Sequence, residues 1–292
     1  MQMPSSAPAV VNMSFNQYTE IRHPIGVAVS MLQIDMSGKL AVVTGGGRSI
    51  GRATADLLAR CGARVTVVDR NRESINDLAD TGLGGHVLDV RNAQAVKEVF
   101  GDIEREQGNI DVLINCAGIL QRPSPPEKLS EEEWDKTVGT NLKGTYLCCA
   151  EVGTRMVARK RGTIVNIASV LGLSPSPLHA YGPSKAAVIS LTQGLAAQWG
   201  PFGVRVNAVA PGFTLTPPLS LAMATGMLDR QLLARSSALG RLLTAEEVAT
   251  AIVFLASDLA APITGITLPV DAGYLAASSW NAFGGLHEQL SA

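Results

Sequence analysis

The chain has almost no net charge, which limits the partners it can bind. Its 24 Lys and Arg side chains are balanced by 25 Asp and Glu, leaving a formal charge of −1 over 292 residues. Proteins that bind nucleic acid neutralise phosphates with clustered Lys and Arg side chains, so we expect no nucleic-acid partner here.

Long apolar runs are also absent. No segment reaches the ~18 consecutive apolar residues that a membrane-spanning helix needs. Residues 25–34 come closest near the N-terminus, but they are too few and have too little positive charge before them for a secretory signal. We therefore expect no membrane association and a cytoplasmic protein.

Cysteine is scarce, with four residues: Cys61, Cys116, Cys148 and Cys149. Their spacing matches no common metal-ligand pattern, and the adjacent pair is unsuited to a structural disulfide. We expect reduced, buried thiols, which suits the cytoplasm, and no metal site.

Apolar strands alternate with helical patterns over most of the chain. Because parallel strands covered on both faces read as continuous apolar runs, this alternation predicts an α/β fold with a parallel sheet between two layers of helices. Strands are predicted at residues 40–44, 64–69, 85–89, 111–115, 162–167, 204–209 and 266–270, and helices at about 53–60, 93–107, 130–159, 181–199 and 245–256.

The same pattern sets the domain organisation. Residues 1–35 have no sustained periodicity and are predicted to be an N-terminal extension. Residues 36–275 contain no repeat or linker and form one predicted domain, with Trp134 and Phe254 in its core, and residues 276–292 form a C-terminal tail.

A glycine-rich loop joins the first predicted strand to the first helix. Residues 44–51 read Thr-Gly-Gly-Gly-Arg-Ser-Ile-Gly. Glycines let the backbone approach a pyrophosphate, and the helix that follows offers free N–H groups to it, although glycines also suit an ordinary tight turn. The predicted dinucleotide contacts are Gly45, Arg48, Ser49, Ile50 and Gly51.

Asp69 ends the second predicted strand and bears on which dinucleotide binds. A carboxylate at this place hydrogen-bonds the adenosine ribose hydroxyls and repels a 2′-phosphate, which favours NAD. Arg48 and Arg70 argue for NADP, since either could pair with that phosphate. We give Asp69 more weight, so NAD is the predicted cofactor and NADP the second choice.

Two further strand ends carry candidate cofactor residues. Asp89 and Val90 follow the third strand, where they could meet the adenine edge, although a solvated strand-end Asp is an equal alternative. After the fourth strand, Ala117 and Gly118 would allow close backbone approach to the cofactor, and Asn115 could brace the neighbouring strand.

Tyr181 and Lys185 lie four residues apart and therefore share one side of a predicted helix. A free phenol has a pKa near ~10. A nearby ammonium favours the phenolate, so the pair could serve as a general acid/base. The spacing alone is common by chance, and its significance depends on the surrounding motifs.

Taken together, the motifs resemble the short-chain dehydrogenase/reductase family over residues 36–275, in its single-domain branch of roughly 250 residues. There are two departures from the family pattern: Ser49 stands where its second loop glycine is usual, and Cys116 where a second Asn is usual. The motifs are the glycine loop of residues 44–51, Asn115-x-Ala-Gly118, Ser169, Tyr181-x-x-x-Lys185, Pro211-Gly212, Gly240-Arg241, and residues 254–258, 263–265 and 270–273.

This resemblance implies a Rossmann-like, doubly wound, seven-stranded parallel sheet and hydride transfer between NAD(P) and an alcohol or ketone. Tyr181 would exchange a proton with the substrate oxygen, and Ser169 would hydrogen-bond that oxygen. Lys185 would lower the pKa of Tyr181 and bind the nicotinamide ribose, and Asn141 would hold a water that connects Lys185 to solvent. The residues beside the nicotinamide would be Pro211, Gly212, Thr214 and Thr216.

The substrate and the assembly are less constrained. Residues 213–240 should form a rather apolar substrate lid, with Gln121, Arg122 and Pro123 as further pocket candidates. Polyol or sugar oxidation and 3-oxoacyl reduction both remain open for the small-molecule alcohol or ketone. The family implies a homotetramer first and a dimer second. A silent NAD-binding scaffold or sensor is the alternative function, against which the complete four-residue set argues.

Overall fold

The computed structural model describes residues 33–280. At Pro218 it describes the backbone but not the side chain. Within this range one parallel sheet of seven strands has the order β3-β2-β1-β4-β5-β6-β7, which confirms the predicted fold. The strands are β1 (Leu40–Thr44), β2 (Arg64–Asp69), β3 (Gly84–Val87), β4 (Val112–Asn115), β5 (Gly162–Ile167), β6 (Val204–Pro211) and β7 (Thr267–Val270).

Helices cover both faces of the sheet. Connections from β1 run outward in opposite directions, to β2 on one side and eventually to β4 on the other. This reversal opens a crevice at the carboxyl ends of β1 and β4, where ligands of doubly wound sheets bind. The helices are α1 (Ser49–Arg60), α2 (Arg72–Asn76), α3 (Ala93–Gln107), α4 (Glu131–Val138), α5 (Thr145–Ala158), α6 (Tyr181–Trp199), α7 (Pro217–Ala224), α8 (Arg230–Arg235), α9 (Ala245–Ala256) and α10 (Tyr274–Ala277).

The core lies in two layers, one on each face of the sheet. Successive strand residues point to opposite faces, so Val43 packs toward α1 and α9 whereas Val42 packs toward α3 and α5. Leu58 and Ile252 fill the first layer, and Phe100 fills the second, all without solvent exposure. This burial on both sides explains why the strands read as continuous apolar runs rather than as alternating patterns.

Three elements differ from the sequence expectation. β3 ends at Val87 rather than at residue 89, because its partner β2 ends at Asp69, which pairs with Val87. The helix expected over residues 130–159 is interrupted by a π-helical turn, Gly139–Gly144, and the expected lid contains α7 and α8. The expectation for Trp134 is wrong, since 41% of it is exposed, whereas Phe254 packs against the core.

Several expectations reach beyond the described range. The N-terminal extension lies outside it up to residue 32, and the C-terminal tail lies outside it from residue 281. No described helix is long and apolar enough to cross a membrane, and the described residues contain no group of three or more potential metal ligands. The four thiols are free.

Candidate active site

The glycine loop is packed so tightly that side chains are excluded at two of its positions. Gly45 has φ +64°, and a Cβ there would lie 2.7 Å from the Cα of Ala117. A Cβ on Gly51 would lie 2.2 Å from the carbonyl oxygen of Gly45. The Thr44 hydroxyl accepts the Ala117 N–H at 3.1 Å and ties the loop to the segment after β4. The result is a backbone cradle at the N-terminus of α1.

Ser49 occupies the left-handed region, with φ +57°, at the first position of α1. Glycine takes this conformation without steric conflict, whereas other residues rarely adopt it. Ser49 therefore takes a backbone conformation that glycine adopts freely, and it adds a hydroxyl beside the backbone cradle. Ile50 follows it in the first turn, and Arg48 before it is exposed.

Asp69 is held at the rim of this loop by backbone donors. Its Oδ2 accepts the Gly47 N–H at 3.2 Å, and its Oδ1 accepts the Asn71 N–H at 3.0 Å. A Cβ on Gly47 would lie 3.1 Å from that Oδ2, so glycine is what allows the carboxylate to sit so close to the loop. Arg70 is exposed, and neither it nor Arg48 forms an ion pair with another described residue.

Asp89 and Val90 lie on the same edge of the sheet. The Asp89 carboxylate pairs with Arg91 at 2.6 Å, and this partner holds the pKa of Asp89 below its usual range. The Val90 side chain is buried against the π-helical turn, where a Cβ on Gly144 would lie 2.6 Å from it. An adenine ring at this edge would therefore meet the backbone of Val90 rather than its side chain.

Asn115 uses its side chain to brace the sheet. Its amide donates to Asn166 on β5 at 2.9 Å and to the thiol of Cys149 at 3.1 Å. Asn166 in turn donates to the hydroxyl of Thr192 on α6 at 3.0 Å. This buried line of polar groups fits the bracing role considered from the sequence, and a cofactor contact by Asn115 stays a prediction.

Ser169, Tyr181 and Lys185 converge where β5 ends. The Lys185 ammonium donates to the carbonyl of Ile167 at 2.7 Å and lies 5.8 Å from the centre of the Tyr181 ring. Ser169 lies close enough to the Tyr181 phenol to act on its pKa. A Cβ on Gly118 would lie 3.5 Å from the Lys185 nitrogen, so the segment after β4 closes over the group.

The protonation of this pair differs from the sequence expectation. Burial raises the pKa of Tyr181 above its ordinary value, and the effect of Ser169 only partly opposes that shift. Burial also lowers the pKa of Lys185 to about 8. Contrary to the sequence expectation, Lys185 is not among the groups that lower the pKa of Tyr181, because its ammonium donates to the Ile167 carbonyl and desolvation disfavours both charged forms.

Asn141 sits inside the π-helical turn and holds the segment after β4. Its Oδ1 accepts the Ile119 N–H at 2.8 Å, and its amide donates to the Ile119 carbonyl at 3.0 Å. The same amide also donates to the Ser184 hydroxyl at 3.2 Å. Its backbone carbonyl accepts from Thr145 at 2.8 Å. The implied water-holding role remains a prediction.

The four remaining candidates lie at the end of β6 or after it. Pro211 ends that strand, and a Cβ on Gly212 would lie 2.8 Å from the Cα of Asp271. Thr214 is buried, bridges to Leu243 and donates to the Gly212 carbonyl at 3.0 Å, while Thr216 is half-buried just before α7.

The sequence indicates Gln121 only as a pocket candidate and does not reveal its hydrogen bonds to the start of α6. The buried side chain of Gln121 accepts the N–H groups of Ala180 and Tyr181 at 2.7 and 3.2 Å. This contact joins positions 59 and 60 residues apart, and no local sequence signal announces it.

The arrangement suits a nicotinamide dinucleotide. The cradle that a Cβ would fill at Gly45 or Gly51 can take a pyrophosphate, and Asp69 beside it can accept ribose hydroxyls. Lys185 and Tyr181 lie farther along the same edge, where a nicotinamide ribose and a reacting oxygen would meet a proton donor and an ammonium.

Known proteins are similar to this chain over most of its length. A family model described as enoyl-(acyl carrier protein) reductase matches residues 45–275. The D-threitol dehydrogenase of Mycolicibacterium smegmatis is 41% identical over 82% of this chain and 94% of its own length.

Solved structures share the fold. A crystal structure titled ribose-5-phosphate isomerase from Brucella melitensis 16M is 52% identical, with a TM-score of 0.85 over 87% of this chain and 99% of that one. The structure of ElxO with NADP bound is 33% identical, with a TM-score of 0.78 over 82% of this chain and 99% of that one.

Proposed function

The chain belongs to the short-chain dehydrogenase/reductase family, and on that premise we propose that it oxidises a secondary alcohol of a polyol, with NAD as the hydride acceptor. The activity class is that of an NAD(P)-dependent oxidoreductase acting on a CH–OH group of a small molecule. The observation that carries the proposal is the grouping of Tyr181 and buried Lys185, 5.8 Å from ring centre to ammonium, beside Ser169 at the sheet edge that also holds the glycine loop. The name of the D-threitol relative supports a polyol over an acyl thioester.

The proposed mechanism assigns each side chain a role at the reacting oxygen. Bound NAD would supply the hydride acceptor, held by the glycine loop, Asp69 and Lys185. Ser169 donates a hydrogen bond to the substrate oxygen and keeps the alcohol beside Tyr181. Tyr181, as the phenolate, accepts the alcohol proton as the C–H bond breaks and becomes the neutral phenol, and protonated Lys185 stabilises the phenolate before this transfer. Asn141 orders the segment after β4 against this group.

The deciding experiment is a panel of polyols and monohydric secondary alcohols assayed with NAD and with NADP. The proposal expects NADH formation, followed by absorbance, with at least one vicinal polyol. Binding of NADH without turnover of any substrate would instead support the scaffold or sensor function.

The similar Brucella melitensis protein is named as an isomerase, so the experiment also needs an assay for isomerisation. Aldose–ketose isomerisation moves a proton between adjacent carbons without net oxidation. Ribose 5-phosphate should therefore be incubated with the protein in the presence and absence of NAD. Conversion to the ketose at equal rates in both would contradict the proposed function, whereas none is expected.

We propose NAD rather than NADP because Asp69 is fixed beside the loop by two backbone donors. Replacing Asp69 with Ser should lower kcat/KM for NAD by about 10–100-fold, since charge-assisted hydrogen bonds to the ribose are lost, and should raise it for NADP. Asp80→Asn, at an exposed position, is the matched control and should leave the NAD:NADP ratio unchanged. An unaltered ratio in the Asp69 variant would refute this basis for the preference.

We propose a homotetramer in the cytoplasm. Support comes from the exposed side of α6, which presents small residues, Ala186, Ser190, Gly194 and Ala197. Light scattering on the purified full chain would measure the mass, and a monomer would contradict the tetramer.

A further inference from the structure

The first residue of α6 is Tyr181, so the hydrogen bonds at the start of this helix determine where the Tyr181 backbone lies. The first N–H groups of any helix have no partner within it. Ala180, which precedes the helix, offers no side-chain cap. The orientation of the Tyr181 backbone therefore depends on partners from elsewhere in the fold.

Two residues at the start of α6 donate their N–H groups to nearby carbonyls, and a third residue has no N–H group. Gly182 donates to Leu178 at 2.9 Å, and Ser184 donates to Ala180 at 3.1 Å. Pro183 has no N–H. The remaining donors, those of Ala180 and Tyr181, both bind the side-chain oxygen of Gln121.

Gln121 thus caps the catalytic helix from the loop after β4. Its side chain is 1% exposed, and the two donors on Oε1 fix which way the amide faces. Its Nε2 is buried without a hydrogen-bond partner among the described residues. A buried amide with an unpaired donor is unfavourable, so an apolar side chain would serve better if Gln121 only filled space.

The loop that carries Gln121 is itself anchored. Asn141 binds both backbone groups of Ile119, and Glu133 accepts the Arg122 N–H at 3.2 Å. On the other side of Tyr181, its carbonyl accepts from the Ser184 hydroxyl at 2.7 Å, and that hydroxyl accepts from Asn141. Both backbone polar groups of Tyr181 are therefore connected to Asn141. The N–H is connected through Gln121 and its loop, and the carbonyl is connected through the Ser184 hydroxyl.

We propose that Gln121 is a positioning residue for proton transfer. It acts through the backbone of Tyr181, holding the phenol against Ser169 and the reacting oxygen, and has no direct contact with the substrate. This inference rests on the proposed function. It gives the loop after β4 a second role, which is to hold Tyr181 in position, in addition to its proposed contacts with the cofactor.

The test compares Gln121→Met with Gln121→Glu. Met has a similar length but removes the acceptor, and we expect kcat to fall by about 10–100-fold, because small misplacements of a reacting group have effects of that size. KM for NAD should change less than about 2-fold, since the cradle is untouched. Glu keeps an oxygen facing the helix N-terminus and should restore kcat to within about 3-fold.

Thr154→Val is the control, because the exposed Thr154 hydroxyl donates to the Ala150 carbonyl near the end of α5, away from the site. It should leave kcat and KM for NAD unchanged. The inference is wrong if Gln121→Met keeps its kcat. It is equally wrong if kcat, KM and the melting temperature of that variant all shift together and Gln121→Glu does not restore them, since that would indicate general packing.

Amide hydrogen exchange separates this inference from the proposed function. Faster exchange at Tyr181 in Gln121→Met, relative to wild type, would show that the cap exists whether or not any alcohol is oxidised. If wild type turns over no substrate, the proposed function fails on its own. If wild type is active and exchange at Tyr181 is unaltered in the variant, the positioning role fails.

Discussion

The Tyr181→Phe variant is expected to lose about 10²–10⁴-fold in kcat while binding NADH as tightly as wild type. Phe retains the ring and its packing but removes the hydroxyl that lies near Ser169. The alcohol proton then has no acceptor at the point where hydride leaves carbon. Stopped-flow or steady-state absorbance gives kcat, and quenching or enhancement of NADH fluorescence gives Kd.

Tyr146→Phe provides the comparison, because Tyr146 is about half exposed on α5 and the same atom is removed. It should behave as wild type in both measurements. Turnover within a few-fold of wild type in Tyr181→Phe would remove Tyr181 from the mechanism. Equal losses of turnover and of NADH binding would instead mean that the ring shapes the cofactor site.

Gly51→Ala should abolish dinucleotide binding in practice, with Kd raised at least about 100-fold, because one added methyl group opens the cradle. The new Cβ would lie 2.2 Å from the Gly45 carbonyl oxygen and 3.0 Å from the Cα of Gly46. Both neighbours are backbone, so relief requires the loop to move, and strained core substitutions typically cost about 1–3 kcal/mol in stability. Titration with NADH and thermal unfolding measure the two effects.

Gly101→Ala makes the same chemical change within α3, where the only neighbour of the new Cβ is the end of the Arg155 side chain at 3.9 Å. It should leave binding intact and stabilise the protein by about 0.5–1 kcal/mol, since Ala favours helix over Gly. Wild-type affinity in Gly51→Ala would show that the cradle does not bind pyrophosphate.

The fold was predictable because burial on both faces leaves a direct trace in the sequence. In β1, residues 40–43 are all apolar, and parallel strands place their carboxyl ends on one edge. The glycine loop and the residues after β5 therefore had to share that edge. Tyr181 and Lys185 could be placed near Ser169 from the order of the motifs.

Features that depend on tertiary packing were not predictable. The π-helical turn around Asn141 exists where Val90 packs against Gly144, and the capping by Gln121 joins segments about 60 residues apart. The direction of the pKa shift at Tyr181 depends on burial, which the four-residue spacing to Lys185 does not encode. Trp134 was misplaced for the same reason, because an aromatic residue on a helix does not reveal which side faces solvent.

The buried amide line from Asn115 through Asn166 to Thr192 ties two central strands to the helix that carries Tyr181 and Lys185. Thr192 continues the line by donating to the Val188 carbonyl at 2.8 Å, within the same helix. The helix that carries the candidate catalytic residues is thus anchored to central strands, which we expect to open last. Partial opening of this helix would leave buried amides without hydrogen-bond partners. We therefore expect heat to inactivate and unfold the molecule in a single step.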